Sequence, residues 1–213
     1  MELSDYEDKV LPVAPVVGKK VIKVNSFAIE PKQNQPFTRK KTANNEKNGQ
    51  ETVCGDVAVK KIWLAGGCFW GVEGYFQQLQ GVVDTTVGYG QGQTVNPSYQ
   101  QVCSGQTGHT EVCEVVYDQT KITLSKILEH FFRIIDPTSL NRQGPDRGTQ
   151  YRSGIYYTEE QDEAVIKDAL QRVQESYKQP VVVEVEPLQT FYAAEEYHQD
   201  YLKKIHMVTA MSI

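Results

Sequence analysis

Gly66-Gly67-Cys68-Phe69-Trp70-Gly71 is the segment of this chain best suited to chemistry. A short apolar run, Ile62-Trp63-Leu64-Ala65, ends at the two glycines, and a helical repeat begins at the cysteine. A strand that turns tightly into a helix presents free backbone N–H groups and the positive end of the helix dipole to the first side chain. A thiol placed there is expected to titrate below its ordinary value of about 8.5 and to act as a nucleophile. Phe69 and Trp70 follow directly and can wall a small apolar pocket. Outside that setting, Cys68 reads as a small buried hydrophobe beside two core aromatics.

The elements that must hold this turn follow from periodicity. Phe69, Val72, Phe76 and Leu79 recur at helical spacing and stop at Gly81. Val82–Tyr89 is β-branched and reads as a strand, Gly88–Ser98 is turn-rich, and Glu111–Tyr117 alternates as a strand. Leu124–Ile135 reads as a helix opened by Thr123 and closed before Pro137. Gly144–Gln150 is a loop and Tyr151–Tyr157 a strand. Thr158 with Gln161 suggests a capping box for a helix to about Tyr177. Pro180–Pro187 reads as a final strand, and Phe191–Lys204 as loop with a short helix. This order, β-α-β-β-α-β-α-β, predicts an α+β fold. The expected form is a two-layer α/β sandwich, a mixed sheet with helices packed on it around a ferredoxin-like core. A doubly wound parallel sheet is the alternative.

Composition bounds the rest. The chain has 213 residues, 39 % of them apolar, with a net charge of −5 and four cysteines. The mild acidity argues against nucleic-acid binding. No apolar run is long enough to span a membrane as a helix. Four cysteines are too few for a disulfide scaffold, and with no C-x-x-C pair no metal site is expected. Pro31–Asp56 holds only Phe37, Ala43, Val53 and Cys54 as apolar residues, too few to offset its ordering entropy. Residues 1–56 therefore read as a disordered or docked arm, 57–204 as the catalytic domain and 205–213 as an atypical tail. No signal-peptide pattern is visible, so a cytoplasmic monomer is expected, with an extracytoplasmic location left open.

Other candidates compete with this reading. A Cys68 base pair with His109 or His198 would suggest a thiol hydrolase or acyltransferase. A redox-sensing or binding module is the non-enzymatic rival. Gly88, Gly90 and Gly92 lack dinucleotide-binding spacing and read as loop. Cys103 reads as a buried structural thiol. Cys113 alternates onto the same strand face as Glu111, and it could approach Cys68 if that face borders the site.

The Cys68 segment resembles the signature of the A-class peptide methionine sulfoxide reductases, and three further blocks extend the likeness. They are Tyr99–Glu111 (YQQVCSGQTGHTE), Arg142–Ser153 (RQGPDRGTQYRS) and Phe191–Tyr201 (FYAAEEYHQDY). Together the four blocks span about Lys61 to Lys204. The resemblance implies thiol-dependent reduction of methionine S-sulfoxide, free or in proteins, through a sulfenic acid on Cys68. It implies Glu111 as the acid that protonates the departing oxygen. Tyr99 and Tyr151 would donate to the same oxygen, and Asp146 would orient the network. Phe69 and Trp70 would hold the S-methyl group. The expected partners are oxidised proteins, peptides or free methionine sulfoxide, with an external thiol reductant, thioredoxin or dithiothreitol, in place of a bound cofactor.

One departure stands out. Many family members carry a resolving cysteine in a Gly-Tyr-Cys segment soon after the fourth block, whereas nothing after Cys113 is a cysteine here. Deleting one A from codons for Lys-Asn-Pro-His-Gly-Tyr-Cys-His yields Lys-Ile-His-Met-Val-Thr-Ala, the text of Lys204–Ala210. Residues from Ile205 onward are therefore expected to be out of frame, the in-frame gene restoring Gly-Tyr-Cys and extending to a fused B-class domain. In the chain as written, Cys54 on the arm is the candidate resolver.

Overall fold

The computed structural model describes the backbone of residues 59–210 and side chains to residue 205. Cys54 and the rest of the expected arm lie outside the described residues. The elements, in order, are β1 (Val59–Gly66), α1 (Phe69–Phe76), β2 (Val82–Gly90), α2 (Tyr99–Cys103), β3 (Thr110–Asp118) and α3 (Leu124–Ile134). A small hairpin follows, β4 (Arg142–Gln143) and β5 (Asp146–Arg147), then a 3₁₀ turn (Thr149–Tyr151). Last come β6 (Ser153–Tyr157), α4 (Glu160–Glu175), β7 (Glu184–Pro187), β8 (Phe191–Ala193) and α5 (Tyr201–Ala210).

Six strands form one mixed sheet in the order β7-β6-β1-β3-β2-β8. β1 runs antiparallel to β3 and to β6, β3 antiparallel to β2, and only β6–β7 is parallel. β1 and β2 therefore run in the same direction, joined over α1, with β3 inserted between them. The doubly wound alternative, which needs parallel neighbours throughout, does not describe this sheet.

Period-two alternation sorts the strands onto two faces. Leu64, Val87, Cys113, Val115, Tyr117 and Ile155 pack with Phe69, Val72 and Phe76 of α1, with Leu128 and Phe131 of α3, and with Ile166 of α4. The opposite face gathers Trp63, Ala65, Val112 and Tyr156, with Leu188 and Phe191 packed on them. Phe131 is fully buried, and truncating such a residue to alanine costs about 3–5 kcal/mol. Among the described residues no helix is long and apolar enough to cross a membrane.

Several local expectations change. Tyr151 belongs to the 3₁₀ turn, and the strand begins at Ser153. α4 starts at Glu160 with Glu159 at its N-cap and no capping box. Lys60 of β1 reaches Glu159 at 2.7 Å, and this ion pair from a distant strand takes over the end that Thr158 was expected to cap. The capping box stands instead at α2, where Ser98 and Gln101 satisfy each other's backbone. Gly88 and Gly90 are not loop but the end of β2. A side chain at Gly88 would bring its Cβ within 2.4 Å of the Tyr192 carbonyl, so glycine is what lets β8 pair there. α5 (Tyr201–Ala210) begins within the Phe191–Lys204 segment expected to hold a short helix and runs on into residues 205–210, which were read as an atypical tail.

Candidate active site

Cys68 is the N-cap of α1 and is partly exposed. Gly67 before it has φ of +81°, and a Cβ there would lie 2.6 Å from Gln143 Cβ. The turn therefore needs glycine both for its left-handed backbone and for the hairpin pressed against it. Gln143 is itself tied down. Its Oε1 accepts from the Asp136 amide at 2.9 Å, and its Nε2 donates to the Asp136 carbonyl and Ser153 Oγ, both at 2.8 Å. The hairpin held this way carries Asp146, paired across from Gln143, towards Cys68 and Glu111.

Burial and the neighbouring carboxylate of Glu111 push the Cys68 thiol up to about 12, with Asp146 adding to the rise. The amides of Trp70 and Gly71 favour the thiolate, as the helix start led us to expect, but they lose. The expected lowering is thus overturned. A helix end contributes on the order of 1 kcal/mol, and withdrawal from water beside two carboxylates outweighs it.

Glu111, near the start of β3, accepts a hydrogen bond from the Phe69 amide at 3.0 Å. Its side chain thus meets the first residue of α1, one position past the thiol. Burial pushes its carboxyl up to about 8 despite that bond, and Asp146 reinforces the shift. At neutral pH Glu111 therefore holds a proton. Burial also raises Asp146.

Tyr99 opens α2 and Tyr151 closes the 3₁₀ turn, both half-buried. Burial holds both hydroxyls in the protonated form, and both feel Glu111. Tyr151 also feels Cys68 and Cys103. The Tyr99 hydroxyl and the Cys103 thiol, one helical turn on, influence each other's titration. Cys103 is exposed, not the buried structural thiol expected, because five-residue α2 buries only Val102. Cys113 shares the Glu111 face but is wholly buried, and its charged neighbours are Glu73 and Glu114 rather than groups of the Cys68 site.

Phe69 is buried and Trp70 partly so, with ring centroids 6.2 Å apart. Tyr201, at the start of α5, stacks on the Trp70 indole at 3.8 Å. The indole N–H donates to His198 Nδ1 at 3.2 Å. His198 is buried, and desolvation holds it below its ordinary pKa. Its Nε2, left to carry the proton, makes no hydrogen bond and lies 4.0 Å from Glu195 Oε2. Glu195 also accepts from the Tyr99 amide at 3.0 Å and the Tyr89 hydroxyl at 2.7 Å. Burial would raise its pKa, but those two donors and His198 bring it below the ordinary carboxylate range.

Glu195 and Tyr89 were not singled out by sequence reasoning. Their only signal was membership of the fourth block for Glu195 and a strand position for Tyr89. His109 is not a base for Cys68. Its Nδ1 accepts from the Gly92 amide and its Nε2 meets the Thr94 carbonyl at 2.8 Å. The site thus joins a partly exposed thiol, a neutral carboxyl, two phenols and an aromatic wall.

Residues 60–212 match the family model described as peptide methionine sulfoxide reductase. A peptide methionine sulfoxide reductase MsrA of Clostridium botulinum is 57 % identical over 146 residues, covering 68 % of this chain and 93 % of that protein. The MsrA of Ureaplasma parvum is 53 % identical, covering 68 % and 88 %. Among solved structures, reduced Mxr1 from Saccharomyces cerevisiae is similar at TM-score 0.66 and 41 % identity, over 68 % of this chain and 85 % of that one. Methionine sulfoxide reductase A of Corynebacterium diphtheriae gives 0.64 and 36 %, over 70 % and 76 %. Mxr1 has also been solved in complex with Trx2, and that chain is similar at 0.50 and 30 %, over 67 % and 84 %. The chain belongs to the peptide methionine sulfoxide reductase family and reduces methionine sulfoxide.

Proposed function

We propose that Cys68 is the nucleophile and Glu111 the proton donor in reduction of the S epimer at sulfur of methionine sulfoxide, free or within peptides. The observation that carries this reading is a carboxyl with a pKa of about 8, bonded to the amide next to a partly exposed cysteine. Sulfoxide oxygen leaves poorly unless protonated, and a carboxyl that keeps its proton at neutral pH is the appropriate donor.

The substrate methyl lies against Phe69 and Trp70, and its oxygen faces Glu111, Tyr99 and Tyr151. Those two anchors plus the line of attack from Sγ select one configuration at sulfur, and the family resemblance assigns it as S. As Sγ bonds to the sulfoxide sulfur, Glu111 protonates the oxygen. Bonding to the substrate sulfur makes the Sγ proton acidic, and it passes to the Glu111 carboxylate left by that donation. Oxygen ends on Cys68 as a sulfenic acid and the substrate leaves as the thioether. Cys68 sulfur loses the two electrons that the substrate sulfur gains. Asp146 orients the hydroxyls and helps keep Glu111 protonated.

An external thiol then reduces Cys68. The complex of the similar Mxr1 with Trx2 supports thioredoxin in that role, and dithiothreitol can replace it in vitro. Cys54 is the resolving thiol we would test first within the chain.

The test is stoichiometric. Reduced protein is mixed with a methionine-S-sulfoxide peptide, and thioether is counted per chain. One product per chain without reductant and many with dithiothreitol are expected, with none from Cys68→Ser. An unchanged yield in Cys68→Ser would overturn the assignment.

A further inference from the structure

Helix α1 uses two faces. Phe69, Val72 and Phe76 face the sheet, as their spacing predicts. Trp70, Glu73, Gly74 and Gln77 stand at i, i+3, i+4 and i+7 and make a second stripe, which meets the start of α5. Tyr201 stacks on the Trp70 indole with ring centroids 3.8 Å apart. The three atoms nearest to a Cβ built at Gly74 all belong to Leu202, the first at 2.9 Å, so glycine is what lets that side chain lie on α1. Gln77 Nε2 donates to Asp200 Oδ1 and to Thr85 Oγ1, both at 2.8 Å. Asp200 has a left-handed backbone, φ +53°, and its Oδ1 also accepts from Lys203 Nζ at 3.1 Å.

Glu73 is the member of this stripe that the chemistry at Cys68 does not use. It is 2 % exposed, and burial pushes its carboxyl up. The groups that favour its charge all come from the start of α5: the Asp200 amide, then Lys203 and Lys204, with the Asp200 carboxylate opposing them. A buried carboxylate is a costly choice at such a seam, where an apolar side chain of similar size often serves stability as well or better. What it supplies is registry. An apolar seam tolerates a slide of one helix along another, and a buried charge that must meet one set of partners does not. We propose that Glu73 is a positioning residue that fixes where α5 starts on α1, and so holds Tyr201 against Trp70 and limits the methyl pocket to small alkyl groups on the sulfoxide sulfur. The indole is clamped from both ends of one short segment, by His198 Nδ1 at 3.2 Å and by the Tyr201 ring. Between those two residues Gln199 is tied to the Val87 backbone by two bonds of 2.9 Å, which leaves the docking of α5 to set the position of Tyr201. The inference rests on the sulfoxide-reductase reading above and extends it to the choice of alkyl group.

The experiment compares kcat/KM for methionine sulfoxide and its S-ethyl analogue, ethionine sulfoxide, each as the S epimer in the same acetylated and amidated peptide. Dithiothreitol serves as reductant, so no protein partner enters. Wild type is expected to favour S-methyl by about tenfold or more, the usual worth of one methylene in a closed pocket. Glu73→Met, close in size and apolar, is expected to fold and yet to lose about threefold or more of that preference. Its tryptophan emission shifts to the red as Trp70 loses Tyr201, because the other indole, Trp63, packs on the opposite face of the sheet. Glu73→Gln, which keeps an oxygen for the Asp200 amide, keeps the wild-type preference and emission. Tyr201→Ala reproduces the loss, and adding Glu73→Met to it costs nothing more. Gly74→Leu, which wedges Leu202 off α1 while Glu73 stays, gives the same loss and carries the test if Glu73→Met does not fold. A wild type that does not discriminate, or Glu73→Met with wild-type preference and emission, overturns the proposal. So does an equal fall for both substrates in Glu73→Met, which would leave Glu73 a role in folding alone. A wild-type preference kept in Trp70→Ala defeats the methyl pocket itself, and the proposal falls with it.

Discussion

Glu111 and Glu195 flank the same aromatic cluster, yet their environments drive their carboxyls in opposite directions. Glu111 is buried and receives one backbone N–H, so withdrawal from water dominates and it stays neutral at pH 7. Glu195 is also partly desolvated, but it receives an amide, a phenol and the nearby edge of His198, and it stays ionised. The difference teaches that donor count, not burial alone, decides which carboxylate can give up a proton. In the proposed mechanism one of the pair is the acid. The other anchors Tyr99 and Tyr89 and faces the imidazole that accepts from Trp70.

Removing the proposed acid should have the largest effect. Glu111→Gln is expected to lower the single-turnover rate by about 10²–10⁴-fold. In wild type that rate should fall as pH rises through about 8, where Glu111 loses its proton, and this limb should vanish in the variant. Stopped-flow measurement across pH checks both. Tyr151→Phe should cost about 10–10²-fold in the same assay, because one of two phenol donors to the oxygen remains.

Glu195→Gln should slow turnover only about tenfold, since it acts through Tyr99 and Trp70. It should also lower stability by about 1–3 kcal/mol through weakened bonds to the Tyr99 amide and the Tyr89 phenol. Urea unfolding reads this directly.

The sharpest contrast is in stability against pH. In the unfolded chain Glu111 ionises near its ordinary value, while the folded protein keeps its proton to about 8. Between those values the unfolded state binds fewer protons, so Glu111 removes stability as pH rises. Glu111→Gln should match wild type near pH 4 and exceed it by on the order of 4 kcal/mol at pH 8. A catalytic acid held at the cost of stability would show this sign, whereas the deficit of Glu195→Gln should persist at neutral and alkaline pH.

The Cys68 turn was legible because its signals are local: an apolar strand, two glycines, then a helical repeat. The thiol's pKa was not, because the groups that set it arrive from β3 and from the β4–β5 hairpin, both remote in sequence. Parity placed Cys113 on the Glu111 face, since alternation along one strand needs no tertiary knowledge. Helix α2 was hidden even though Ser98 and Gln101 spell its capping box, because the turn-rich residues before it dominate the local texture. β8 is three residues long and exists through its pairing with the glycines of β2. The contacts of His198 with Trp70 and Glu195 join three parts of the chain and have no periodic signature.

The central claim is that one glutamate at this site is a neutral acid and another is not. Carboxyl ¹³C NMR of the reduced protein, labelled at glutamate and titrated across pH, tests it most directly. The expected result is one resonance that titrates near 8 and is missing from Glu111→Gln, with the resonance missing from Glu195→Gln titrating below the ordinary carboxylate value. A Glu111 resonance already ionised at pH 6 would contradict the account.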